Sequence, residues 1–180
     1  IDLKLKYDFN FLTVAQMGPR KNLAPMIKWF AEEFHNEEVG FVVKANIANN
    51  SQIDRVKLRN SIESVLKPFG EDRKCKVHMI HGNMSDDEVH ALYTDPKVKA
   101  YVTATHGEGF GLPIFEAAYS GLPVVAPAWS GHVDFLYAPV VNAKSKKTTI
   151  KPLFEKVAFD IKPVPKEAHW DGVISSDSNW

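Results

Sequence analysis

Cysteine is nearly absent. Cys75 stands alone among 180 residues, which excludes an internal disulfide framework and any cysteine-based metal pattern. Its place in an alternating apolar run marks it as a buried strand residue. Long hydrophobic runs are missing too: no stretch reaches the ~18 apolar residues of a membrane-crossing helix, so no transmembrane segment is expected. Neither sign of charge dominates, with 22 basic and 22 acidic side chains, which argues against a generally basic nucleic-acid-binding surface. Any charge needed for an anionic ligand must be supplied locally. The histidines do not group as ligands, because His78 and His81 should point to opposite faces of a strand and His90 does not complete a site; no metal is expected. No signal-peptide pattern is present and the first residue is not methionine, so the chain is expected to be part of something longer. Its compartment stays open, with the cytoplasm as the default expectation. The glycosylation triplets at Asn49 and Asn83 are of a kind common by chance.

What is present is an alternation of short apolar runs and amphipathic stretches. Strands are predicted over residues 9–15, 40–45, 76–80, 100–104 and 123–126. Helices are predicted over 23–34, 53–66, 85–93 and 113–120. In the first helix Ile27, Phe30, Ala31 and Phe34 recur at helical spacing, and in the second Val56, Leu58, Ile62, Val65 and Leu66 form the expected inner face. Ser85 with Glu88 three residues on reads as a capping box. Strands alternating with helices imply an α/β fold built on a doubly wound, Rossmann-like parallel sheet. Ligands of such sheets bind beyond the carboxyl ends of the strands. Residues 1–142 are assigned to this domain. Residues 143–180 show little periodicity and are expected to be an irregular extension that wraps the domain or leads to a partner domain, with Lys144, Lys146 and Lys147 as a solvated loop.

The densest stretch is HGEGFGLPIFEAAYSGLPVV, residues 106–125. Gly107, Gly109 and Gly111 should leave backbone N–H groups bare, so that a ligand can approach the main chain closely. Pro113 suits the opening of a helix, whose positive end and free amides attract an anion, most naturally phosphate. Glu108 and Glu116, with seven residues between them, flank that position. Both are acidic and suit hydroxyls rather than phosphate. The ligand so deduced has phosphate in the middle and hydroxylated groups at both ends, a description that fits a nucleotide-sugar. In the turn MGPRKN, Arg20 and Lys21 can neutralise a diphosphate leaving group, a role in which charge stabilisation is often a large catalytic term. This turn and the glycine-rich one both follow strands and should converge on one sheet edge.

Three segments together resemble one family. Glu108-Gly-Phe-Gly-Leu-Pro with Glu116 is similar to the signature of retaining, GT-B-fold glycosyltransferases of the glycogen-synthase and sucrose-synthase-like group. FNFLTVAQMGPRKNLAPMIKWF resembles the opening strand, basic loop and first helix of that family's C-terminal donor-binding domain. VHMIHGNMSDDEVHALYTDPKVKAYVTAT resembles its later strand–glycine–helix–strand segment. Together they cover roughly residues 8 to 140 in order. The resemblance implies one half of a GT-B architecture that holds a nucleotide-diphosphate sugar as substrate, with no separate cofactor and no metal. Transfer would go to an unidentified acceptor with retention of configuration. It further implies that Glu116 holds the ribose hydroxyls and that Glu108 lies near the hydroxyls of the transferred sugar. Gly109, Phe110, Gly111 and Leu112 would offer backbone to sugar and distal phosphate, Gly82, Asn83 and Met84 would border the base, and Gly18 would lie in the phosphate loop. Lys21 matches the family's lysine, whereas the position of its arginine is occupied by Gln16, and Arg20 is the substitute. The acceptor half belongs to an N-terminal domain outside this chain, so the fragment alone is expected to be inactive.

Other roles suit these residues less well or equally. Phe110 is expected to be a core anchor rather than a sugar-stacking ring, and Trp129 to be packing. Asp134 could cap a short helix. A glycoside hydrolase would need Glu108 and Glu116 across an empty cleft, where a phosphate-ready helix end lies instead. The His106-Gly107-Glu108 echo of a deaminase lacks its cysteine pair. A dinucleotide fingerprint would place the glycines after the first strand with an acid about 20 residues on, and neither holds. A nucleotide-sugar epimerase of GT-B-like fold and a non-catalytic nucleotide-sugar-binding module remain as alternatives, the latter favoured by Gln16.

Overall fold

A computed structural model describes residues 2–180. Five parallel strands form the frame: β1 (Asn10–Gln16), β2 (Gly40–Asn46), β3 (Lys76–Ile80), β4 (Val98–Val102) and β5 (Val124–Pro127). They are short runs rich in branched and aromatic residues, and β2 and β5 are mostly buried on both faces, as strands covered by helices on either side must be. The helices between them are α1 (Leu23–Glu33), α2 (Gln52–Leu66), α3 (Asp86–Thr94), α4 (Leu112–Tyr119) and the single turn α5 (Val133–Leu136). Two further strands, β6 (Tyr137–Val141) and β7 (Thr148–Pro152), make an antiparallel hairpin apart from the sheet. The last strand, β8 (Glu155–Val157), joins β5 in parallel and completes a six-stranded sheet in the order β3-β2-β1-β4-β5-β8.

The strand order reverses direction beside β1, which opens a crevice at the carboxyl edge between the loops after β1 and β4. Side chains alternate across the sheet. Phe41 and Val43 of β2 pack with Leu23, Ile27, Phe30, Leu58 and Ile62 of α1 and α2 on one face. Leu12 and Val42 pack with Leu92, Tyr101, Ile114 and Val124 under α3 and α4 on the other. Leu12, Val42 and Leu58 are wholly enclosed, so cutting either leucine back to alanine would cost ~2–5 kcal/mol. The predicted capping box is present: Glu88 N donates to Ser85 Oγ at 3.3 Å, and Ser85 N donates to Glu88 Oε2 at 2.8 Å.

Two expectations are corrected. Val56 lies on the outer side of α2, because the buried stripe passes instead through Asp54, Leu58, Ile62 and Leu66 at helical spacing. The extension from residue 143 is not irregular throughout. It supplies β7 and β8, which the sequence hides because a short edge strand with one neighbour needs no apolar alternation. Its remainder folds over a small core of Val164, Ala168 and Ile174, tied by paired backbone bonds between Lys162 and Trp180.

Candidate functional site

The turn after β1 and the glycine-rich loop after β4 are stitched together by hydrogen bonds to backbone carbonyls. His106 N donates to Arg20 O at 2.8 Å, Thr105 Oγ1 donates to the same carbonyl at 3.2 Å, and Asn22 Nδ2 donates to Ala104 O at 3.1 Å. Asn22 caps α1 in the left-handed region, with φ 53°, a conformation asparagine tolerates better than most side chains. These bonds bring Arg20, Lys21 and Glu108, 87 and 88 residues apart, into one cluster.

Lys21 Nζ donates to both oxygens of Glu108, at 2.5 and 2.7 Å, and Arg20 Nη1 donates to Glu108 Oε2 at 3.1 Å and to Gly107 O at 2.5 Å. The Glu108 side chain is only 8% exposed. Burial alone would raise its pKa, but the Lys21 ammonium, the Thr105 hydroxyl and the Arg20 guanidinium outweigh it and hold the carboxyl below its ordinary value. Both basic residues and the first glutamate are therefore one charge cluster, with one net positive charge.

The backbone of Glu108 is held as tightly as its side chain. Its amide donates to Ser130 Oγ at 2.8 Å, and its carbonyl accepts from Ser130 Oγ at 2.7 Å and from Gly131 N at 3.0 Å. Ser130 adopts a left-handed φ of 78° to do this. Gly111, with φ 87°, caps α4, and a side chain there would meet His132 and Ile114. Among the described residues, the amides of Gly109, Phe110 and Gly111 have no protein acceptor, which leaves them available at the start of α4. The Gly107 amide, expected to be bare, instead meets Thr105 Oγ1 at 3.3 Å. Phe110 is half-exposed rather than a core anchor, because its ring packs tilted against the rings of Phe115 of α4 and Phe135 of α5 rather than into the core. Leu112 is exposed on the first turn of the same helix. Trp129 stacks near Phe159, and the Trp180 indole stacks on His106 with centroids 4.4 Å apart.

Glu116 lies one turn into α4. Its Oε2 accepts from the Tyr93 hydroxyl at 3.0 Å, which leaves Oε1 without a protein donor among the described residues. Burial chiefly, then the neighbouring Tyr101 and Glu116, pushes the Tyr93 phenol above its ordinary value, so it remains a donor. Glu116, Tyr93, His90 and Val14 line a cleft of about 350 Å³. Val14 also borders a second pocket of about 220 Å³, lined by Gln16, Lys21, Lys44, Asn46 and Pro113. The two lie side by side over the carboxyl end of β1. A larger cavity of about 490 Å³ lies against α1, lined mainly by apolar side chains such as Trp29, Phe30 and Val157. None of the converging loops' charged groups reaches it, so it offers a phosphate nothing.

Gly18 precedes the basic turn in extended conformation and borders a shallow recess with Asn22. Gly82 follows β3 at φ 112° and accepts from Lys44 Nζ at 2.6 Å. Asn83 accepts from the Asn50 amide, and Met84 packs on the core beneath α3. The Gln16 side chain donates to Ile47 O at 2.7 Å, so it is tied to the neighbouring strand's end.

Sequence reading missed the buried pair Asp54–His81. Asp54 accepts from the amides of Ile47, Ala48 and Asn49 at 3.0, 2.8 and 3.3 Å, and from His81 Nε2 at 2.9 Å. Burial opposes its ionisation, yet these donors together hold it well below the usual carboxylate range. It fixes the loop after β2 against the HGN loop after β3. The available signal was the spacing of Asp54 three residues after the cap Ser51, whose hydroxyl accepts from Asp54 N. Ser130, Tyr93 and Lys44 carried no local signal, apart from the oddity of a lysine inside the apolar run of β2.

Among the described residues, no helix is long and apolar enough to cross a membrane. A family model described as glycosyl transferases group 1 matches residues 3–140. A sucrose synthase from Denitrovibrio acetiphilus is 30% identical over 134 residues, covering 69% of this chain and 16% of its own length. A sucrose-phosphate synthase from Spinacia oleracea is 28% identical over 135 residues, covering 69% and 12%. The chain thus spans less than a fifth of either relative. In fold it is similar to the C-terminal domain of a glycosyl transferase group 1 family protein from Francisella tularensis, with TM-score 0.54 and 20% identity over 76% of this chain and 66% of that one. It is also similar to Anabaena HepE, whose structure is a complex with UDP and glucose, with TM-score 0.55 and 16% identity over 77% of this chain and 35% of that one. The sheet and its flanking helices share the Rossmann-like architecture of these GT-B glycosyltransferases.

Proposed function

The chain belongs to the group 1 glycosyl transferases, and on that basis we propose that it is the donor-binding domain of a retaining enzyme that moves a sugar from a nucleoside-diphosphate donor to an acceptor. Supporting this reading above all is the convergence of the Arg20–Lys21–Glu108 cluster, the acceptor-free amides of Gly109 to Gly111 and the Glu116 cleft around the end of β1. The ribose lies against Glu116 Oε1, with the base toward Gly82, Asn83 and Met84. The diphosphate occupies the pocket between Lys21 and Pro113, where the amides and positive end of α4 add to the lysine.

As the bond from the sugar's anomeric carbon to the terminal phosphate oxygen breaks and an acceptor hydroxyl oxygen bonds that carbon, losing its proton, negative charge grows on the departing nucleoside diphosphate. Lys21 and Arg20 meet that charge, and partial release of their bonds to Glu108 lets them do so without a metal ion. Glu108, freed in part, accepts hydroxyl protons of the sugar in hydrogen bonds and orients it. The acceptor and its binding surface lie on another domain of the same protein, so this chain binds donor but does not transfer alone.

Calorimetric titration of the chain with UDP, GDP, ADP and NAD, alongside the corresponding nucleosides, tests the reading. Saturable binding of one nucleoside diphosphate, weakened in Glu116→Ala, is the expected result. Binding of NAD alone, or equal affinities in wild type, Glu116→Ala and Lys21→Ala, would overturn it.

A further inference from the structure

The diphosphate pocket is short of free positive charge. Two cations and one carboxylate share the Arg20–Lys21–Glu108 cluster, so they present one net positive charge to a ligand that carries at least two negative ones. Gln16, at the end of β1 in the same pocket, is neutral and spends its amide on Ile47 O. One other cation lines this pocket. Lys44 stands in β2 opposite Val14 of β1 and Ile80 of β3, on the same face of the strand as Val42.

A lysine there is costly as mere structure. Its neighbours in the run are Phe41, Val42, Val43 and Ala45, all buried, and burial lowers the ammonium's pKa from its ordinary value. Among the described residues no carboxylate pairs with it. Its one hydrogen bond goes to Gly82 O at 2.6 Å, which leaves two of three ammonium protons unspent. A partly buried cation with spare donors, facing a pocket that also holds Lys21 and the start of α4, fits an anionic ligand.

We propose that Lys44 is a second diphosphate-binding cation, one that contacts a phosphate oxygen of the nucleotide from the side opposite Lys21 while holding Gly82 in place. The inference rests on the donor-binding reading above. It also links two parts of the ligand. The same ammonium would touch the phosphate and, through Gly82 O, brace the loop that borders the base, so its charge acts on the diphosphate and its hydrogen bond on the nucleoside's surroundings.

The test uses the full 180-residue chain and its Lys44→Met and Lys44→Arg variants, titrated with UDP, GDP, ADP, the matching nucleosides and inorganic pyrophosphate. Loss of one charge-assisted contact predicts an affinity for the diphosphate about tenfold weaker or more in Lys44→Met, with a smaller loss for the nucleoside, about threefold or less, through the unbraced Gly82 loop. Lys44→Arg should recover most of the diphosphate binding, and the difference between wild type and Lys44→Met should shrink as salt rises. Lys44→Met binding the diphosphate as wild type does would overturn the inference and leave the donor reading standing. Equal losses for diphosphate and nucleoside, with a lowered melting temperature and no rescue by arginine, would make Lys44 a strut for Gly82 and would also overturn it. A wild-type chain that binds none of the diphosphates refutes the donor reading itself, and the role of Lys44 with it.

Discussion

Replacing Gly131 by alanine adds one methyl group to a residue whose side chain touches no proposed ligand, yet it should disable the site. An alanine Cβ at this position would lie 1.8 Å from Gly109 O, 2.7 Å from Gly109 C and 2.9 Å from Glu108 O. Real Cβ atoms hold off to at least 3.0 Å, so one of the two backbones must yield by about 1.2 Å. Neither has slack. The Gly131 amide bonds Glu108 O at 3.0 Å, Ser130 clamps the same peptide from its left-handed conformation, and the obstructing atoms are main chain rather than the end of a flexible side chain. Overpacking of this kind costs ~1–3 kcal/mol in stability. The larger effect is on function, because a shift of about 1 Å in groups that orient a ligand can cost on the order of a hundredfold. The displaced atoms are those that set Glu108 against Lys21 and aim the Gly109 amide. Thermal unfolding and titration with the bound nucleoside diphosphate read the two effects separately. The variant should melt a few degrees lower and bind the diphosphate at least tenfold more weakly. Wild-type affinity and wild-type melting together would refute the claim that the Ser130–Gly131 turn sets the geometry of the glycine-rich loop.

On the donor-binding proposal, Glu116→Ala should weaken nucleoside and nucleoside diphosphate alike, by roughly 10- to 100-fold, since it would remove the charged hydrogen bonds proposed to the ribose; titration with both ligands reads it. Lys21→Ala should weaken the diphosphate more than the nucleoside, and it should move the Glu108 pKa upward, measurable by carboxyl-carbon NMR, because burial then acts against a carboxylate with one fewer cation. Asp54→Asn should lower the melting temperature at pH 7 by several degrees. Asp54 has a depressed folded-state pKa, so its contribution is complete above its ordinary value of 3.8 and drains away as pH falls through the lower folded value; the gap between variant and wild type should therefore narrow only below pH 3.8. Tyr93→Phe should leave the fold intact and weaken nucleoside binding less than Glu116→Ala, because it frees the carboxylate's orientation but keeps the carboxylate.

A good part of this molecule could be read along the chain. The parallel α/β sheet was legible because strands covered on both faces are apolar throughout and the helices between them repeat at a different period, as in residues 40–46 against 52–66. The capping box at Ser85 and Glu88 was legible because both partners lie within one helical turn. The glycine-rich turn and the helix it opens at Leu112 were legible because both are built from backbone that is contiguous in sequence. Val56 misled because α2 is only weakly amphipathic, and which stripe is buried depended on Asp54 finding four donors in two other loops.

Tertiary structure alone decided the pairings. Nothing local joins Arg20 and Lys21 to a carboxylate almost ninety residues away, or gives Glu116 a phenol from α3 as its partner. Ser130 and Gly131 matter only because the loop after β5 is laid against the loop after β4 by neighbouring strands. Lys44 reads in sequence as a blemish in an apolar strand, and becomes a pocket cation only once β2 stands between β1 and β3. Propensity, periodicity and capping act over a few residues, so one chain suffices to reveal them. Charge pairing and pocket lining act through space, and the parallel sheet, whose every neighbouring strand returns by a long crossover, brings distant residues to one edge.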